Sequence, residues 1–223
     1  MTRNPQSHVV PSLAEQLRRE THTLHRAAER SSFMATLLRG RMDRLSYSAL
    51  LRNLHAIYAA LEPALVHHAR DPWIAPVFLP ALWRSAALAD DLRLLHGASW
   101  ADAYALQPAA VRYLERLRAL DVGPQPGLLL AHAYVRYLGD LSGGQSLRRI
   151  VAASLQLAHG DGTAFYDFGA PAETLTLTQA FRSGLDAVVV DGAAADALVA
   201  EAVLAFELHG RLFEELARER GVA

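Results

Sequence analysis

Apolar residues recur at helical spacing along most of the chain, and no stretch shows sustained two-residue alternation bounded by turn signals. The first stripe carries Leu13, Leu17, Thr21, Leu24 and Ala28, and Ser12 with Glu15 ahead of it form a capping-box pattern. A second long helix is expected over about residues 46–67, with Leu50, Leu54, Ile57, Leu61 and Leu65 facing inward. Pro72, Pro76 and Pro80 separate it from a helix near 81–95, and a shorter piece follows over 108–120. Beyond Gly123-Pro124-Gln125-Pro126 the pattern resumes over 127–157, with Gly139 and the Gly143-Gly144 pair expected to kink it. The last helices are expected over about 174–188 and 193–220, on either side of Asp191-Gly192, with the valines at 188–190 suited to locally extended chain. The predicted fold class is all-α: a single-domain helical bundle over 11–220, with a flexible N-terminal arm at 1–10 and a short tail at 221–223.

Composition narrows the chemistry. The chain has 52% hydrophobic and 20% charged residues, as an ordinary globular core requires. Its 22 basic residues are all arginine and are scattered among 23 acidic ones without a block of like charge, so no nucleic-acid partner is expected. With no cysteine, thiolate metal sites and thiol nucleophiles are excluded, and a metal must rely on histidine or carboxylate. The polar start of the chain and the lack of any apolar run near 18 residues predict no signal peptide and no membrane anchor, hence a cytoplasmic protein.

The segment from Ala131 to Gln145 stands apart. Gly139, Gly143 and Gly144 each cost about 1 kcal/mol relative to alanine inside a helix, so their accumulation needs a reason. Missing side chains let a backbone approach a flat ligand closely; a hinge for helix packing is the competing explanation. Asp140 lies one turn from both Arg136 and Gly144, which puts an ionisable group inside this segment. His25 borders the first apolar stripe, and Glu29 one turn on is placed to accept an imidazole N–H and orient the ring for a metal. His22, three residues earlier, is the rival imidazole, and a packed or surface histidine is the plain alternative for His25.

These residues resemble a known family. The run Ala131–Gln145 resembles the signature of heme oxygenases, and 21–34, with His25, Glu29 and Phe33-Met34 in register, resembles that family's proximal helix. The similarity continues through Leu54-His55-Ala56-Ile57-Tyr58, Phe78-Leu79-Pro80 and 206–216, so it covers about residues 13–216. It implies heme as both substrate and prosthetic group, with His25 as iron ligand and Glu29 its partner. Arg18, Tyr134 and Arg182 would meet the propionates, and Phe206 would pack on the macrocycle. It further implies that Asp140, with Tyr58 and Arg136, holds ordered water for proton delivery. The backbone at Gly139 and Gly143 would lie against the ring and bend bound oxygen toward it.

Expected products are biliverdin, carbon monoxide and ferrous iron, formed with O2. Electrons would come from an external reductase or ferredoxin-type protein, since no Gly-x-Gly-x-x-Gly fingerprint is present. Two positions depart from the family pattern: Thr178 where a lysine is common, and His209 where an asparagine is common. Both bear on how heme sits in its plane. The alternative is a heme carrier without turnover, against which Asp140 in its glycine-rich setting argues. Thiamin-degrading enzymes of a related helical fold need a cysteine nucleophile that this chain lacks, and a di-iron carboxylate bundle needs Glu-x-x-His pairs, also missing.

Overall fold

The computed structural model describes residues 11–158 and 161–221, and the expected arm at 1–10 lies outside them. Nine α-helices are present among the described residues, with no strand: α1 Leu13–Arg30, α2 Ser32–Leu38, α3 Arg44–His67, α4 Ser85–His96, α5 Trp100–Ala103, α6 Pro108–Val122, α7 Leu129–Ser154, α8 Pro171–Ala187 and α9 Gly192–Arg220. The all-α expectation holds. Val188 caps α8 in extended conformation without pairing to another strand.

Local chemistry explains the helix ends. Ser12 and Glu15 form the expected reciprocal cap, with the Glu15 N–H donating to Ser12 Oγ at 3.2 Å and the Ser12 N–H to Glu15 Oε2 at 3.0 Å. Asp43 accepts from the Ser46 N–H at 2.9 Å and so starts α3 two residues earlier than the apolar stripe indicates. Asp191 caps α9 in the same way, and proline opens α6 and α8, where its missing N–H costs nothing. Ser31 takes an extended conformation with ψ 149° and splits the expected continuous run 21–34 into α1 and α2.

Two further expectations need correcting. The helix expected from residue 81 starts at Ser85, because Pro80–Leu82 forms a separate 3-10 turn and the Glu62 carboxylate, reaching across from α3, accepts from the Arg84 and Ser85 N–H groups. The other concerns only continuity: α7 remains α-helical through Gly139, Gly143 and Gly144, so a kink at these glycines does not interrupt the helix.

The core runs between α1, α3, α6, α7 and α9, with α9 packed on α1, α6 and α7 and α3 packed on α4 and α6. Leu17, Phe33, Ile57, Leu61, Leu129, Leu130, Phe181 and Leu216 are fully enclosed there. No helix among the described residues is long and apolar enough to cross a membrane.

Candidate active site

A cavity of about 220 Å³ opens between α1 and α7, closed by α2 and α3 on one side and by α9 on the other. His25 and Glu29 enter it from α1, and Arg136, Gly139, Asp140 and Gly143 from α7. Met34, Leu38, Leu50, Leu54, Phe206 and Phe213 make most of the remaining wall apolar. One cavity thus gathers the two segments singled out in the sequence although they are far apart in the chain.

The glycines divide by function. A Cβ built on Gly139 meets nothing within 4 Å, and one on Gly143 meets only Leu147 Cδ1 at 3.7 Å. Both positions therefore leave the cavity open without any packing need inside the protein. Gly144 points the other way, where a Cβ would stand 3.4 Å from the Tyr166 carbonyl oxygen, so this glycine serves packing. Helix stability is given up at Gly139 and Gly143 on the cavity side, where no close packing inside the protein requires glycine.

The His25 ring stands edge-on to Phe206, with centroids 6.0 Å apart at 75°. Its Nδ1 faces Glu29 Oε1 at 3.7 Å, within ion-pair range but longer than the hydrogen bond expected from the sequence, and both side chains are partly exposed. Nε2 is left for a ligand.

Asp140 is the end point of a buried polar hub. The fully buried Tyr58 hydroxyl donates to Asp140 Oδ2, and Arg136 Nη2 donates to Asp140 Oδ1 at 3.0 Å. The remaining guanidinium nitrogens are also used: Nε donates to Tyr58 Oη at 3.3 Å, and Nη1 reaches the His209 ring at 3.0 Å. Burial raises the Asp140 carboxyl above the usual carboxylate range, opposed by Arg136. Burial, and then the Arg136 charge, push His209 well below the usual imidazole range, so His209 is neutral and accepts from Arg136. Burial opposes the charge on Arg136, but Asp140, Tyr58 and Tyr113 together hold the guanidinium charged.

The residues expected to meet the propionates, Tyr134, Arg18 and Arg182, stand outside the cavity wall. Tyr134 Oη sits 3.3 Å from Thr21 Oγ1, and the two exposed arginines both act electrostatically on that phenol. They form a cluster where α1, α7 and α8 meet. Thr178 folds its hydroxyl back onto the Thr174 carbonyl at 2.8 Å and offers no donor to a ligand.

Sequence reasoning missed three supports. Phe165 and Tyr166, in a 3-10 turn with no helical signature, complete the cavity wall, and the buried Asp91 of α4 holds that turn by accepting from the Ala164 and Phe165 N–H groups at 2.7 and 2.8 Å. His209 emerged in the sequence only as a departure from a pattern, yet it completes the Arg136 hub. The third is the fully buried His132, one face of α7 away, which bonds Glu201 Oε1 at 2.8 Å and Tyr113 Oη at 3.0 Å. Burial keeps His132 neutral, so its Nε2–H donates to Glu201 while Nδ1 accepts from the tyrosine. Arg116 closes the network by donating Nε to Glu201 at 2.9 Å. Nothing in the local sequence of α9 marks Glu201 for this.

Known proteins share both the sequence pattern and the architecture. A family model described as heme oxygenase matches residues 11–215. The chain is 37% identical over 205 residues to a heme oxygenase of Rhodella violacea, covering 92% of this chain and 87% of that protein. The solved structure of heme oxygenase-2 from Synechocystis sp., in complex with heme and NO, superposes with a TM-score of 0.89 at 37% identity, covering 94% of this chain and 86% of that one. Heme oxygenase from Leptospira interrogans superposes with a TM-score of 0.87 at 33% identity, covering 92% of this chain and 100% of that one. With a family model spanning nearly the whole domain, and with relatives that match in sequence and fold together, this chain belongs to the heme oxygenase family.

Proposed function

We propose that this chain cleaves heme with O2 and supplied electrons to give biliverdin, carbon monoxide and ferrous iron, with the macrocycle seated between α1 and α7. The observation that carries this reading is the pairing of an accessible imidazole at His25 with a side-chain-free wall at Gly139 and Gly143 across one largely apolar cavity. A flat apolar ligand fits that pairing: a porphyrin burying about 400 Å² of apolar surface would gain on the order of 10 kcal/mol before association costs.

Bound heme supplies the iron that activates oxygen and the carbon skeleton that is cut. His25 ligates the iron, with Phe206 fixing the ring edge-on and Glu29 facing the Nδ1 side. Arg18, Tyr134 and Arg182 receive the propionates at the junction of α1, α7 and α8. Gly139 and Gly143 bring the α7 backbone against the ring and exclude side chains from its face.

Asp140 presents its carboxylate to the distal part of the cavity, and burial raises its proton affinity while Arg136 opposes that rise. Tyr58 and Arg136 fix the carboxyl in one orientation, and His209 fixes Arg136. Through water ordered against Asp140, this hub delivers protons without placing an acid in direct contact with the reacting oxygen. The protein acts in the cytoplasm and takes electrons from an external reductase or ferredoxin-type protein.

Single turnover of the hemin complex with a reductant and O2 tests the reading. The Soret band is expected to decay with appearance of a biliverdin spectrum; a Soret band that persists under those conditions overturns turnover and leaves a heme carrier.

A further inference from the structure

Away from the cavity, two imidazoles and a carboxylate converge where α3 and α6 end. His67 closes α3 and His68 caps it, while Asp121 stands in the last turn of α6. His67 Nδ1 lies 2.9 Å and His68 Nε2 3.1 Å from the same oxygen, Asp121 Oδ1, and one ligand atom from each residue falls within 4.8 Å of the other two. The Asp121 main-chain carbonyl oxygen is a fourth donor atom at the same spot, 2.9 Å from His68 Nε2.

Adjacent residues on an intact helix point about 100° apart, so they do not share a partner. Here the helix terminates between them: His68 leaves helical geometry at φ −105° and ψ 24°, and the two rings close to 4.3 Å between centroids. The two convergent helix C-termini add a negative electrostatic field, which favours a cation. Exposure of the His67 side chain at 67% leaves one side of the group open to solvent.

From this geometry we infer a second ligand site: His67, His68 and Asp121 bind a borderline divalent transition-metal ion of the Zn2+ and Cu2+ class. Two neutral imidazoles and one carboxylate form a donor set suited to such ions and poorly suited to Mg2+ or Ca2+, which take all-oxygen shells. In a tetrahedral site with bonds of about 2.0–2.2 Å the donor atoms stand roughly 3.3 Å apart; the two N···O separations of 2.9 and 3.1 Å need to open by only a few tenths of an ångström, and the two imidazole nitrogens already stand within 4.8 Å of each other. The Asp121 carbonyl or water completes the shell. This site is separate from the heme cavity, because His67 follows Tyr58 by about 14 Å along α3 and none of the three residues lines that cavity.

Isothermal titration of the hemin-loaded protein with ZnCl2 tests the inference, with MgCl2 as the contrasting ion and His22→Ala as a histidine control on α1. One Zn2+ site is expected in the wild type and in His22→Ala, with no response to MgCl2. Affinity should fall at least tenfold in His67→Ala, His68→Ala and Asp121→Asn. Electron paramagnetic resonance with one equivalent of Cu2+ should show coupling to two imidazole nitrogens, reduced to one in His67→Ala. No Zn2+ binding in the wild type, or equal binding in the His67→Ala/His68→Ala double variant, overturns the site, and neither result bears on heme turnover.

Discussion

Alanine at Gly139 and Gly143 separates a ligand-facing role from a packing role, because the two predict opposite signs in the heme-free protein. Both glycines lie inside α7, where glycine costs about 1 kcal/mol relative to alanine. The added methyl meets nothing within 4 Å at residue 139 and makes an ordinary contact of 3.7 Å at residue 143, so no clash offsets the gain. Gly139→Ala and Gly143→Ala should therefore each stabilise the heme-free protein by about 0.5–1 kcal/mol, read from urea unfolding midpoints at constant slope. In the hemin complex the same methyl is thrust between backbone and macrocycle. An overpacking cost of about 1–3 kcal/mol corresponds to a hemin Kd about 5- to 150-fold weaker. Gly184 is the control, since a Cβ there would press on the Pro76 carbonyl, and Gly184→Ala should destabilise with or without hemin. Heme-free destabilisation by Gly139→Ala, or unchanged hemin affinity in both α7 variants, would refute the reasoning.

Burial alone would raise Glu201, but hydrogen bonds from Arg116 and His132 bring it down to about 2 from its ordinary 4.5. A carboxylate depressed in the folded state stabilises above its unfolded pKa and loses that contribution as pH falls toward the folded one. Glu201→Gln should thus cost about 2–3 kcal/mol at pH 7, allowing for solvent screening at half-exposed Arg116, with the gap to wild type closing between about pH 4.5 and 2; a gap independent of pH in chemical denaturation would contradict this. Asp140→Asn keeps the volume but leaves buried Arg136 without its counter-charge, so it should cost about 3 kcal/mol in thermal unfolding and cut the biliverdin yield per turnover while hemin still binds. Asp91→Ala frees the Ala164 and Phe165 N–H groups inside the protein and should cost about 2–3 kcal/mol. The same change should weaken hemin binding, because Phe165 and Tyr166 line the cavity; unchanged hemin affinity would show that the turn is held by other means.

What the sequence made legible was local. Ser12 and Glu15 announce the start of α1 because both partners of the cap lie within one turn. The glycines of α7 and Asp140 announce a ligand face because they violate helix propensity inside a helical pattern. Where the start of a helix depends on a distant side chain, the pattern misleads: Glu62 from α3 fixes the beginning of α4, and no residue near Ser85 encodes it. The same holds at the site. Asp91 positions the turn at 163–166, and Glu201 anchors His132, through contacts between elements far apart in the chain. His209 could be placed on α9 from the sequence, but its bond to Arg136 depends on how α7 and α9 cross.

The account depends most on His25 holding the iron of a macrocycle seated against α7. Hemin titration of wild type and His25→Ala, followed by optical and electron paramagnetic resonance spectra of the ferric complexes, tests it directly. The wild type should bind one equivalent with a histidine-ligated spectrum, while His25→Ala loses that signature and recovers it when free imidazole is added. An identical spectrum in both proteins would place the iron on another residue and contradict the account.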